Sequence, residues 1–235
     1  MTTDELPAYV SVVFILTTFA AVAFLLQSMR TVGLERLPSR ILLFLLPLWI
    51  FFQAALAVGG FYYKEDMLPP RFVFFGVFPA LLLIIAYFLF FRSSFIERLP
   101  LRVLTLVHIV RIPVEIVLLW LFFGGLIPQA MTFEGRNFDM LSGILAPIAY
   151  LAAFREGTTK RWILIAFNLL GLMLLANIVS IAVMSLPSPL QRMAFDQPNR
   201  ALLFFPYIWL PTIVVPIVLF AHLSSLWKLL KGHDR

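Results

Sequence analysis

Apolar runs of about twenty residues, separated by short polar connectors, repeat from one end of the chain to the other. They cover about 8–27, 41–61, 72–91, 103–125, 131–154, 162–185 and 204–227. Each approaches the roughly 20 residues that cross the hydrocarbon core of a bilayer. In lipid such a run must be helical, because an unpaired backbone group has no water to turn to. The pattern therefore predicts an all-α polytopic bundle of seven transmembrane helices, forming a single membrane domain over 1–235. The first run is preceded by "MTTDELP", which carries Asp4 and Glu5 and no base. That is the reverse of a secretory signal, so the run reads as a retained span.

The connectors carry a pattern of their own. "ERLPSR" (Glu35 to Arg40) and "ERLPLR" (Glu97 to Arg102) each stand directly before a long apolar run. Pro38 and Pro100 suit a first helical turn, whose amide hydrogens have no intrahelical acceptor, and Arg40 and Arg102 can extend to headgroups. A looser version, Glu156 to Arg161, precedes the sixth run. Three helical hairpins with like inner turns, followed by a seventh helix, point to repeated two-helix units.

Charge adds a direction to this picture. Arg30, Arg36, Arg40, Arg92, Arg98, Arg102, Arg155, Lys160, Arg161, Lys228, Lys231 and Arg235 fall on one side of a seven-span topology, 12 of the 18 bases. Lys64, Arg71, Arg136, Arg192 and Arg200 fall on the other. The base-rich side is expected to be cytoplasmic, leaving the N-terminus outside and the C-terminus inside a bacterial-type inner or plasma membrane. The net charge of +6 thus follows from topology and implies no nucleic-acid partner. Composition agrees: 62% hydrophobic, 13% charged and 25 Phe exceed what a soluble domain of 235 residues can bury. With no cysteine, disulfides, thiolate metal sites, iron–sulfur clusters and thiol nucleophiles are excluded.

The candidate chemistry lies in polar residues that fall at membrane depth. In the fourth run, His108, Arg111 and Glu115 are spaced three and four apart, within about 60° of one helix face. A charge at mid-bilayer costs at least ~2.5–3.5 kcal/mol unless it faces inward and finds a partner. The spacing makes Arg111 and Glu115 each other's nearest partner, and Pro113 between them frees the Ile109 carbonyl and bends the helix.

The fifth run has only 15 residues between Asp139 and Arg155, about 22 Å of helix. The preceding "FEGRNFD" must then dip into the bilayer or line a vestibule, bringing Glu134, Arg136, Asn137 and Asp139 together, with Arg136 and Asp139 spaced to pair.

The seventh run carries Pro206, Pro211 and Pro216, which bend it and leave the Tyr207 and Thr212 carbonyls without helical partners. His222 lies six residues from Lys228 as His108 lies six from Arg102, so the two imidazoles share a depth of roughly 9 Å and can face one another. Asn168, Asn177, Ser180 and Gln53 complete the inventory, with the asparagines read as interhelical glue. Trp49, Trp120, Trp162, Trp209 and Trp227 read as belt or packing residues.

Ordered by depth, Glu134, Arg136, Asn137 and Asp139 lie outermost, Glu115 and Arg111 central, and His108 and His222 toward the cytoplasm. Such a ladder fits a buried polar cavity that binds or transports a small molecule or ion, anions included, or protons, the bilayer being the other partner. Three other classes remain open. One is a haem electron carrier with His108 and His222 as axial ligands, the same two residues being the candidate metal ligands. Another is an intramembrane hydrolase built on Glu115, Glu134 and Asp139, for which no H-E-x-x-H or G-x-S-x-G spacing exists. The last is a structural or partner-binding membrane protein with a register-fixing Arg111–Glu115 pair. A retinal Schiff base needs a lysine midway along the last span, and Lys228 stands at its end.

Overall fold

The structure, a computed structural model, describes residues 6–63, 68–155 and 158–232. Asp4, Glu5, Lys64, Glu156, His233 and Arg235 lie outside them. Among the described residues every regular element is helical. Helix α1 (Ala8–Val32) runs one turn past its expected end and stops at Gly33, whose φ of 107° is open to glycine and strained for other residues. Helices α2 (Leu37–Val58), α3 (Phe78–Phe90), α4 (Leu101–Leu106), α5 (Arg111–Phe123), α6 (Met140–Ala153), α7 (Arg161–Met184) and α8 (Val215–Lys231) follow.

Among the described residues, six continuous helical stretches are long and apolar enough to cross a bilayer: Ala8–Val32, Leu37–Val58, Val73–Phe90, Leu101–Phe123, Arg161–Met184 and Leu210–Lys231. The fifth expected span is shorter. Only Met140–Ala153 is helical there, 14 residues or about 21 Å.

Two of these stretches open with a widened, π-helical turn, Val73–Val77 before α3 and Leu210–Val214 before α8. Each turn is followed by a proline at the second position of the next helix, Pro79 and Pro216. A Cβ on Gly76 would lie 2.7 Å from Thr212 Cγ2, so the bare backbone of one widened turn lets the other pack against it. The Thr212 carbonyl accepts from Trp49 Nε1 (3.0 Å), while Trp209 Nε1 donates to the Ile50 carbonyl (3.1 Å). The Tyr207 carbonyl, expected to be free, accepts from Leu210 N within its own turn.

Both Glu-Arg-Leu-Pro copies start helices. Pro38 lies in the first turn of α2 and Pro100 directly precedes α4. Cross-links gather the base-rich helix ends: Tyr87 Oη donates to Pro38 O (2.6 Å), Lys228 Nζ to Leu99 O (2.5 Å), Lys160 N to Ala153 O (2.8 Å), and Arg161 to Leu229 O. Arg40 and Arg102 are exposed, the latter over the Phe154 ring.

Burial is inverted relative to a water-soluble protein. Phe44, Phe51, Phe90, Leu151 and Trp162 are exposed, whereas His108, Arg111, Glu115, Asn137, Asp139, Asn168 and His222 are buried. Six apolar stretches with polar groups turned inward form the bundle of a multi-pass membrane protein.

Candidate functional site

The fourth stretch is not one regular helix. Between α4 and α5, Val107–Val110 tightens into a 3-10 turn that carries His108, and Arg111 and Glu115 follow in α5. This break falls one turn before Pro113, whose ring crowds the backbone of the preceding turn. Helix α6 packs closely against it: a Cβ on Gly143 would lie 2.7 Å from Ile112 Cγ1 and 3.1 Å from its backbone nitrogen. Here glycine permits a close approach rather than a special φ.

Arg111 and Glu115 do not bond to one another, contrary to their spacing. Arg111 Nη1 donates to Asp139 Oδ1 at 2.7 Å and, more weakly, to the Gly171 carbonyl at 3.3 Å. Glu115 Oε1 instead accepts from Asn137 Nδ2 at 2.5 Å. The segment before α6 folds inward and offers two short side chains at this depth, which displace the neighbour one helical turn away. Asn137 Nδ2 also donates to Met131 O, and its Oδ1 accepts from Asp139 N at 3.0 Å. One asparagine thereby ties both acids into a single unit.

The expected Arg136–Asp139 pair is also absent. Arg136 and Glu134 are exposed, and Arg136 contributes its backbone carbonyl to Asn177 Nδ2 (2.8 Å). Of the four residues expected to converge, Asn137 and Asp139 enter the buried site. Arg136 and Glu134 line the surface above it.

His108 and His222 do meet, with parallel rings 3.7 Å apart and 17° between their planes. Phe167 lies against both. His222 Nε2 lies 3.2 Å from Arg111 Nη2, and His222 Nδ1 2.8 Å from Asn168 Oδ1. A guanidinium has no lone pair to offer, so Nε2 must accept and the proton must sit on Nδ1, where it is donated to Asn168. Asn168 Nδ2 donates in turn to Leu164 O at 2.7 Å. The result is a continuous chain, Leu164 O–Asn168–His222–Arg111–Asp139–Asn137–Glu115, with every donor direction fixed by chemistry.

The stacked rings do not fit a haem. Axial imidazoles point their nitrogens at one iron from opposite faces of a macrocycle. Here the rings lie face to face, and both His222 nitrogens are already engaged. Among the described residues no three of His, Cys, Asp and Glu are grouped to hold a metal ion.

Several buried atoms have no protein partner: both His108 ring nitrogens, Arg111 Nε, Glu115 Oε2 and Ser142 Oγ. Buried polar atoms in native proteins are satisfied, by solvent or ligand where protein is wanting. They lie on or beside the chain just described.

Gly171, Ser142 and Gly143 were not among the residues expected here. A Cβ on Gly171 would fall on the His222 imidazole and lie 2.9 Å from Ser142 Oγ. Their signal is that they are small residues within apolar helices, which marks close interhelical approach. Gln53 belongs elsewhere: its Oε1 accepts from Tyr62 Oη (2.5 Å) and its Nε2 donates to Phe75 O (2.9 Å).

Neither the curated proteins nor the solved structures contain a match to this chain. A family model described as a domain of unknown function (DUF8737) matches residues 69–230. The match spans most of the chain, leaves out α1 and α2, and contains every member of the buried network. The chain therefore belongs to the DUF8737 family.

Proposed function

We propose that the protein binds a proton, or another small cation, on its buried network and passes it across the membrane. The observation that carries this reading is a charge imbalance. Arg111 is one permanent cation facing two carboxylates, Asp139 and Glu115, and Asp139 takes the direct ion pair. Glu115 then keeps a buried oxygen, Oε2, with no protein partner. A second negative charge at this depth calls for a compensating cation, and a proton is the smallest. His108, buried with both ring nitrogens unpartnered, offers a second polar group beside the same network.

An anionic ligand fits less well. Arg111 already serves Asp139, His222 and the Gly171 carbonyl, and an incoming anion would have to compete with Asp139 for it.

In this reading the base-rich ends face the cytoplasm and the N-terminus lies outside. The segment before α6, with exposed Glu134 and Arg136, is the outer mouth, and together with the short α6 it makes the seventh crossing. Proteoliposomes with an entrapped pH dye and an imposed pH gradient test the proposal. The wild type is expected to relax the gradient faster than protein-free vesicles, and Glu115→Gln to return the rate to the protein-free level. Wild-type vesicles as tight as empty ones, or an undiminished rate in Glu115→Gln, would overturn it.

A further inference from the structure

We infer that an apolar groove sharing no lining residue with the buried network holds one acyl chain of an anionic phospholipid, with its headgroup on Arg92 and Lys231. The groove has a volume of about 420 Å³ and is walled by α1, α2, α3, α8 and the widened turn before α8. This lies within the usual range for small-molecule sites. Leu42, Trp49, Leu83, Ala86, Thr212 and Phe220 are among its lining residues, and Leu82 on its rim is exposed.

Its chemistry selects hydrocarbon. The few polar atoms in the wall are already satisfied: Thr212 Oγ1 donates to Ile208 O (2.8 Å), Trp49 Nε1 to Thr212 O, and Tyr87 Oη to Pro38 O. A polar ligand would find no donor or acceptor to bind, whereas a flexible alkyl chain needs none.

Positive charge at one end of the groove selects an anionic headgroup. Phe220 in the wall packs on Phe88 (6.1 Å between ring centres), and Phe88 packs on Trp227 (6.3 Å). Over the Trp227 ring lie the Arg92 guanidinium (5.0 Å) and the Lys231 ammonium (5.5 Å). Both bases are exposed, as are Arg30 at the end of α1 and Arg40 at the start of α2. The groove walls thus end in bases, and Trp227 fixes two of them at its mouth. Glu97, beside them, accepts from Trp227 Nε1. Clustered bases at the membrane surface are a recognised basis for binding anionic headgroups.

Native mass spectrometry of purified protein, exchanged into micelles holding equal amounts of phosphatidylglycerol and phosphatidylcholine with identical chains, tests the assignment. The wild type is expected to retain one lipid per chain, with phosphatidylglycerol favoured by about fivefold or more. Ala86→Phe, which fills the groove, should remove the retained lipid. Arg92→Ala combined with Lys231→Ala changes only surface groups and should bring the two lipids to parity. Equal retention in the wild type overturns the assignment, as does lipid retention unchanged in the filled groove or a preference that survives loss of both bases.

Discussion

Arg111 reaches Asp139 at 2.7 Å across 28 positions of sequence, passing over Glu115, its neighbour one turn along the same helix. The two side chains are 3% and 8% exposed, so the pair is removed from solvent. The network therefore depends on how the segment before α6 enters the bundle as much as on α5.

Breaking that pair from one side leaves a buried charge alone. Asp139→Leu and Arg111→Met are each expected to lose about 3–5 kcal/mol, and the double variant distinctly less than the sum. Denaturant titration in micelles measures all three. Arg111→Lys should not rescue, because one ammonium cannot reproduce the guanidinium geometry that serves Asp139, Gly171 and His222 together.

The tautomer of His222 is fixed by its partners. Nitrogen NMR of ring-labelled protein should show Nδ1 protonated and Nε2 bare, and Asn168→Leu should loosen that preference by removing the acceptor of the Nδ1 proton. A proton on Nε2 in the wild type would mean that the Arg111 contact is not made.

Gly171→Ala places a methyl group on the His222 imidazole. The expected loss is about 1–3 kcal/mol, with a change in the His222 ring signals. Gly143→Ala should cost a similar amount by pushing α6 away from Ile112. A neutral result at both positions would contradict the close packing around the broken helix.

Tyr62, beyond the end of α2, supplies a pH dependence. Burial pushes its phenol above the ordinary 10.0, and the contact with Gln53 acts the other way. The folded state therefore holds the proton more tightly than the unfolded chain. This contribution is complete below pH 10.0 and is lost as pH rises toward the folded value, so stability should decline above about pH 10. Tyr62→Phe should flatten that alkaline limb in thermal unfolding.

Much of the fold was legible because lipid leaves a chain so few choices. Apolar runs near twenty residues had to become helices, and six of the seven stretches are long enough to cross. The fifth run was already too short between Asp139 and Arg155, and its helix is shorter still. What periodicity could not reveal was partnership. On a helix, spacing names neighbours, so it paired Arg111 with Glu115 and Arg136 with Asp139. The real partners come from a non-helical segment whose path no periodic pattern encodes. Equal depth did bring His108 and His222 together, yet it could not tell stacked rings from coaxial ones. Asn168 was visible as a polar residue, and its role depends on His222, 54 positions away.

The protonation of Glu115 is the point on which the proton-carrying proposal turns, and isotope-edited infrared difference spectroscopy observes it directly. Between acidic and alkaline samples the proposal predicts a carboxylic acid carbonyl band that exchanges for a carboxylate band, absent in Glu115→Gln and retained in Tyr62→Phe. No such exchange at any accessible pH, or one that persists in Glu115→Gln, would contradict it.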